Sequence, residues 1–230
     1  MRIITVAGPP SSGKTSVIVS FVKEMAAQGL KVSVIKFDCL SSSDGEVYAK
    51  HGIPLETGLA GNLCPDHFFV NNIGKGIEWA RQQGTDLLIT ESAGLCNRCA
   101  PHMKGLPAVC VIDALSGLNT PKKTGPMLRF ADLVVVTKGD IVSQAEREVF
   151  AYRVKQAAPK AQIISVNGLT GQGVLEMKTL LNDMDGGSPE DDLALRFSMP
   201  TALCSYCLGE KRVGKDYQIG ITREMSFNEK

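Results

Sequence analysis

Short apolar runs alternate with longer amphipathic stretches from the first residues to about residue 184. Ile3-Ile4-Thr5-Val6 predicts a strand. Beyond it Val17, Phe21 and Met25 recur every fourth residue, which puts them on one face of a helix that Gly29 stops. Val32 to Ile35 predicts a second strand, Phe68 to Gln83 a helix, and Asp86 to Thr90 a third strand. Between them, Asp38 to Gly45 is polar and reads as a mobile stretch. Further strands are expected at Ala108 to Ile112, Leu133 to Val136 and Gln162 to Ser165. Ser143-x-x-Glu146 has the spacing of a capping box, and Val149, Phe150, Val154 and Ala157 are the expected buried face of the helix it opens. A last helix is expected from Gly173 to Asn182. Continuously apolar strands separated by helices are covered on both sides, so the pattern predicts an α/β fold, a mainly parallel sheet with helices on both faces. No internal repeat is visible.

The texture changes at Asp185-Gly186-Gly187-Ser188-Pro189, which reads as a linker. Residues 1–184 are therefore expected to form the domain, and residues 185–230 a linker and a short tail with Cys204 and Cys207. The tail is too small for its own core and is expected to dock, bind metal or stay partly loose. Composition is ordinary for a globular chain, with 43% hydrophobic and 21% charged residues. A formal net charge of +1 gives no basic field for nucleic acid, and no apolar run is long enough to span a bilayer. The apolar stretch at the N-terminus is too short for a signal peptide, so a cytoplasmic location is expected. There the seven cysteines need an explanation other than disulfides.

Gly8-Pro9-Pro10-Ser11-Ser12-Gly13-Lys14-Thr15 fits G-x-x-x-x-G-K-[ST] between a strand and a helix, the setting of a P-loop. Backbone N–H groups in such a loop curl around phosphates, and the helix N-terminus adds partial positive charge. Lys14 is expected to reach the β- and γ-phosphates and Thr15 to ligate Mg²⁺, with Ser12 and Ser16 in the same binding set. Glu91 at the end of a neighbouring strand and Asp38 after the second strand are the acids expected at the metal. Lys14, Asp38 and Glu91 are thus the candidate catalytic residues, and Gly94 is placed to let a backbone N–H approach the γ-phosphate. An ordinary loop-entry carboxylate is the alternative for either acid.

Thr137-Lys138-Gly139-Asp140 follows a strand and points to guanine, whose two edge donors a carboxylate can accept. Adenine would leave a buried Asp140 unpaired. Lys138 can lie along the base, and Asn167-Gly168-Leu169 is a candidate second wall.

Thiol and imidazole ligands suit Zn²⁺, Ni²⁺ or an iron–sulfur cluster. Cys64 and His67 lie three apart at a helix entry, and Cys96-Asn97-Arg98-Cys99, with His102 following, comes directly after Glu91 and Gly94. Cys204-Ser205-Tyr206-Cys207 is the other half of a four-thiolate set, within one chain or across a dimer. A surface Cys64/His67 pair and a redox-active Cys204/Cys207 pair are the alternatives. Cys110, inside an apolar run, reads as buried and inert.

The order GPPSSGKT, KFD, ETG, ESAG, FADLVVVTKGD and NGLTGQG resembles the metal-chaperone GTPases over roughly residues 1 to 184. These are the urease accessory G protein and the hydrogenase nickel-insertion GTPase, SIMIBI-class P-loop proteins. The resemblance implies a GTP-binding and GTP-hydrolysing maturation factor that delivers or gates a metal for a partner enzyme. It also implies a homodimer formed across the nucleotide face, with accessory proteins and a metalloenzyme client as partners. Two positions depart from the family pattern. Thr137 stands where the family has Asn, and Cys64-Pro65-Asp66-His67 carries its His one place later than the family's Cys-Pro-His. A molybdopterin-type nucleotide-binding adaptor or a small-molecule P-loop kinase is the alternative reading.

Overall fold

The structure, a computed structural model, describes residues 1–184, 193–198, 209–220 and 223–227. Cys204 and Cys207 lie outside the described residues. The strands are β1 (Arg2–Ala7), β2 (Val32–Asp38), β3 (Leu55–Leu59), β4 (Leu87–Ser92), β5 (Ala108–Asp113), β6 (Leu133–Thr137) and β7 (Gln162–Ser165). The helices are α1 (Lys14–Ala26), α2 (Asp44–Lys50), α3 (Pro65–Gln82), α4 (Thr120–Thr124), α5 (Pro126–Arg129), α6 (Gln144–Ala157) and α7 (Val174–Asp183). The strands form one seven-stranded sheet in the order β3-β2-β4-β1-β5-β6-β7, with every neighbouring pair parallel. Parallel strands put all their C-terminal ends on one rim, so the loops that follow them meet there.

Side-chain alternation along each strand divides the core into two layers. Val34, Ile89, Val109, Val111 and Val135 pack with α1 and α7. On the opposite face Ile35, Phe37 and Leu88 pack with α3, while Cys110, Ile112, Val134 and Val136 pack with α5 and α6. Phe37 meets Phe69 edge-on with centroids 5.0 Å apart, and full burial of such a ring contributes about 2–3 kcal/mol.

Ser143 caps α6 in a complete capping box with Glu146, and Phe150 and Val154 are buried as the pattern predicts. Val149 is exposed and Ala157 only half-buried, so this helix offers a narrower apolar face than its periodicity suggests. The helix expected from Phe68 begins earlier, with Pro65 in its first turn and Cys64 as its cap. The stretch read as polar and mobile after β2 contains the start of α2, which, like β3, the pattern did not announce.

The described tail residues pack on this body. Leu195 is buried and bridges to Met103, while Ala194 bridges to Arg212. The Arg196 guanidinium grips Asp132 with two hydrogen bonds of 2.7 and 2.6 Å and also reaches the carbonyls of Met103, Leu106 and Phe130. Met225 donates its N–H to Asn72 Oδ1 at 2.7 Å, and Phe227 stacks on Trp79. Among the described residues no helix is long and apolar enough to cross a membrane.

Candidate nucleotide groove and adjoining cysteine cluster

β1 delivers the chain into the Gly8–Gly13 loop, and α1 starts at Lys14. A Cβ on Gly8 would lie 2.1 Å from the Val111 carbonyl oxygen, and one on Gly94 would lie 1.7 Å from that of Gly8. Each approach is possible only because the glycine at that position has no Cβ. The Gly94 N–H lies 3.4 Å from Ser92 Oγ. The Lys14 ammonium is folded back on its own loop, donating to the carbonyls of Gly8 and Pro9 at 3.0 and 2.9 Å. Burial lowers its pKa, and Glu91 opposes that shift. Among the described residues Ser12 Oγ is buried with no hydrogen-bond partner, a gap that a phosphate oxygen would fill.

Next to the loop, Thr15 Oγ1 lies 2.9 Å from Glu91 Oε1 and 3.0 Å from Asp44 Oδ2. Tyr48 donates to the second oxygen of Glu91 at 2.7 Å. Asp44 and Tyr48 stand one turn apart on α2, so this helix aims both at the same point. Lys36 is in register with Glu91 on the adjacent strand, and its ammonium bonds Asp44 and lies 3.6 Å from both Asp38 and Glu91. Asp38 accepts the N–H of Cys39 and joins the group through Lys36, not through Thr15. Thr15, Ser16, Lys36, Asp38, Asp44 and Glu91 line, with part of the P-loop, a cavity of about 400 Å³. One hydroxyl and a set of carboxylates make a hard oxygen donor set, which fits Mg²⁺. Asp44, Tyr48 and Lys36 were not anticipated from the sequence. The acid pair Asp44 and Glu46 just ahead of Tyr48 is the signal of a helix start that could have found α2.

On the other side of the P-loop, the Thr137 hydroxyl donates to the Ser12 carbonyl at 2.6 Å. Lys138 bonds the Ser11 carbonyl at 2.9 Å and Asp113 at 2.5 Å, so it clamps the loop to the end of β5. Asp140, Arg147, Asn167 and Gln172 line a second cavity of about 280 Å³. Asp140 is exposed, which corrects the expectation of a buried carboxylate; burial there has to come from the base itself. Asn167 Oδ1 accepts the N–H groups of Leu169 and Thr170, and Gly168 packs so tightly on α1 that a Cβ would lie 2.9 Å from that of Ser16. Leu169 is fully open to solvent beside this pocket. A larger cavity of about 680 Å³ opens between α4, α5 and α6 and shares no residue with the groove.

The opposite face of β4 carries the cysteines. Sγ of Cys64, Sγ of Cys99 and a carboxylate oxygen of Asp66 all lie within 4.8 Å of one another, and Cys96 Sγ is 3.4 Å from Cys99 Sγ. A tetrahedral ion with bonds near 2.3 Å separates its thiolates by roughly 3.8 Å, so small shifts would close this set on a soft cation. A hydrogen bond from Cys99 lowers the Cys64 thiol pKa, while that of Cys99 is raised. Burial pushes Asp66 up to about 6, opposed by a 2.7 Å bond from Ser92 Oγ. Asp66, unanticipated, takes the place expected of His67, which lies outside the set. Pro65 in the first helical turn is the signal that could have put Asp66 there.

His102 stands apart from this set. Its Nε2 donates to the Met127 carbonyl at 2.9 Å and its Nδ1 lies 3.1 Å from Thr5 Oγ1, inside the core. Burial lowers its pKa to about 4, so it is a neutral core histidine with both nitrogens engaged. Cys110 is buried, and burial raises its thiol to about 12, as befits an inert position.

The sequence model for the CobW/HypB/UreG nucleotide-binding domain matches residues 2–165. A protein of Methanocaldococcus jannaschii is 47% identical over 226 residues, covering 98% of this chain and 96% of the relative. The urease accessory protein UreG 2 of Methylorubrum extorquens is 27% identical over 195 residues, covering 79% and 90%. Among solved structures, the hydrogenase maturation factor HypB of Archaeoglobus fulgidus aligns with a TM-score of 0.62 at 23% identity, over 79% of this chain and 89% of that one. HypB of Helicobacter pylori, solved in complex with nickel, aligns with a TM-score of 0.64 at 17% identity, over 83% and 91%. These two share the fold. With its P-loop, its groove of acids and a family match over more than half its length, the chain belongs to the CobW/HypB/UreG nucleotide-binding family, P-loop proteins of the metal-chaperone type.

Proposed function

We propose that this protein binds and hydrolyses GTP with Mg²⁺ in the cytoplasm and uses that cycle to deliver or gate a metal ion or cluster for a partner metalloenzyme. It works as a nucleotide-dependent homodimer together with accessory proteins. One observation carries the coupling. Glu91 and Ser92 are consecutive on β4, and alternation turns them to opposite faces. Glu91 meets Thr15 in the nucleotide groove, whereas Ser92 meets Asp66 in the cysteine set. A movement of this strand end on one side is felt on the other.

In this reading Thr15, Glu91 and Asp44 hold Mg²⁺, which neutralises phosphate charge and orients the triphosphate. Lys14 leaves the Gly8 and Pro9 carbonyls for the phosphates, and the free Ser12 hydroxyl gains its partner there. Asp140 accepts the two edge donors of guanine, with Asn167 to Leu169 alongside. Cys64, Cys96, Cys99 and Asp66 receive the metal as cargo, a mixed thiolate–carboxylate set suited to Zn²⁺ or Ni²⁺. The names of the relatives, a urease accessory protein and a hydrogenase maturation factor, support the delivery role.

Calorimetry with Mg-GTP and Mg-ATP, beside metal analysis of the reduced protein, tests the proposal. Lys14→Ala should abolish GTP binding, and Cys96→Ser/Cys99→Ser should lose the metal while keeping GTP binding. No nucleotide uptake by the wild type sinks the enzymatic half. Unchanged metal content in the double Ser variant sinks the carrier half.

A further inference from the structure

Lys36 is an unusual occupant of its position. It lies on β2, the second strand from one edge of the sheet, 5% exposed and flanked by the buried Ile35 and Phe37. Burying an ammonium is costly unless negative charge surrounds it, and here that charge comes from three separate elements. Asp38 ends the same strand, Asp44 opens α2 and Glu91 belongs to β4; the lysine bonds Asp44 and stands 3.6 Å from each of the others. The Thr15 hydroxyl touches two of the three. The ammonium thus sits on the oxygen donors that a divalent ion needs.

We infer that Lys36 is a resident counter-cation that keeps divalent metal out of these carboxylates until nucleotide is bound. Removing the ammonium would leave three carboxylates around one point with only the more distant Lys14 ammonium to offset their repulsion, and such a group either takes up protons or captures a cation. Oxygen donors do not by themselves favour Mg²⁺. Ni²⁺, Cu²⁺ and Zn²⁺ bind most ligand sets more tightly, so an open cluster would be taken by whichever transition ion is at hand. Lys36 satisfies the acids internally. A bound triphosphate adds oxygen ligands and negative charge on the Thr15 side, which tips the balance toward the divalent ion. The benefit to a protein that carries a transition metal rests on the function proposed above; the exclusion itself does not.

The test uses the full-length, reduced, nucleotide-free protein and Mn²⁺ alone, with free ion followed by electron paramagnetic resonance. Wild type and Lys36→Arg are expected to show no saturable binding that Glu91→Gln removes. Lys36→Met should gain about one ion per chain, with half-saturation at least roughly tenfold below the highest Mn²⁺ concentration at which the wild type shows no such site, and Glu91→Gln added to it should remove the gain. Lys36→Gln serves the same comparison should the Met variant not fold, as judged by circular dichroism and its unfolding midpoint. Saturable Mn²⁺ binding to the wild type that Glu91→Gln abolishes overturns the inference. So does a folded Lys36→Met or Lys36→Gln protein that binds no more tightly than wild type. The titration reads neither GTP nor the cysteines, so its failure and the failure of the proposed function are separate results.

Discussion

Tyr48 donates its hydroxyl to Glu91 Oε2 at 2.7 Å. The other oxygen of the same carboxylate faces Thr15, so the two contacts fix the carboxylate plane from both sides. Burial holds the phenol pKa well above its usual value, and Tyr48 therefore remains a donor at any working pH. Tyr48 touches neither phosphate nor metal in the proposed reaction and acts by positioning Glu91.

Replacing Tyr48 by Phe should free one side of Glu91 while leaving the packing volume almost unchanged. Loss of one such bond, about 0.5–1.5 kcal/mol, corresponds to a roughly two- to thirteenfold rise in the Mg²⁺ concentration for half-maximal GTP hydrolysis. The rate at saturating Mg²⁺ should stay near wild type. A Mg²⁺ titration of turnover separates this from general damage, which would lower the plateau instead.

Ser92→Ala should uncouple the two sites. In the wild type a non-hydrolysable GTP analogue is expected to change metal affinity at the cysteines by several fold. The Ala variant should bind both ligands but lose most of that change, because Asp66 no longer meets the strand that carries Glu91. Metal competition titrations with and without the analogue read the difference. A coupling equal to wild type would place the linkage elsewhere.

Asp140→Ala should weaken GTP by roughly a hundredfold and leave ATP binding nearly untouched, since only guanine offers paired donors to that carboxylate. Displacement of a fluorescent nucleotide by each triphosphate measures it. Equal losses for both would mean that Asp140 shapes the pocket rather than reads the base.

Acid should act on two buried groups with opposite signs in the metal-free protein. His102 is held down from its usual 6.5 to about 4, so its contribution is complete above pH 6.5 and drains away as pH falls toward 4, about 3 kcal/mol in all. Asp66 is raised from 3.8 to about 6, so its contribution is complete below pH 3.8 and is lost as pH rises through 6, again about 3 kcal/mol. The two nearly cancel between pH 4 and 6. Urea unfolding of His102→Gln should therefore gain stability over that interval on acidification, and Asp66→Asn should lose it.

The parts of this molecule that were readable in advance are those encoded locally. The P-loop is one unbroken octet between a strand and a helix, the β-runs are continuous, and the α6 cap needs only Ser143 and Glu146. What stayed hidden depends on distant partners. Asp44 and Tyr48 sit in a seven-residue helix too short to show a period, and their meaning comes from Glu91, more than forty residues on. Lys36 looked like an ordinary strand residue because the acids that tolerate it arrive from other elements. His102 beside two cysteines read as a ligand, yet its hydrogen bonds run to Thr5 and Met127, which no spacing rule connects.

Those same bonds have a mechanical consequence. Gly94 leans on the Gly8 carbonyl at one end of the cysteine loop, and His102 is tied down at the other. Between these two anchors the Asn97 carbonyl rests on Gly125 and Cys99 and Ala100 are buried, so residues 95–101 are held along their length as one short lever beside the phosphate loop. A lever so short and so well seated would pass a turn at the Gly8 end on to both thiols only as a small displacement.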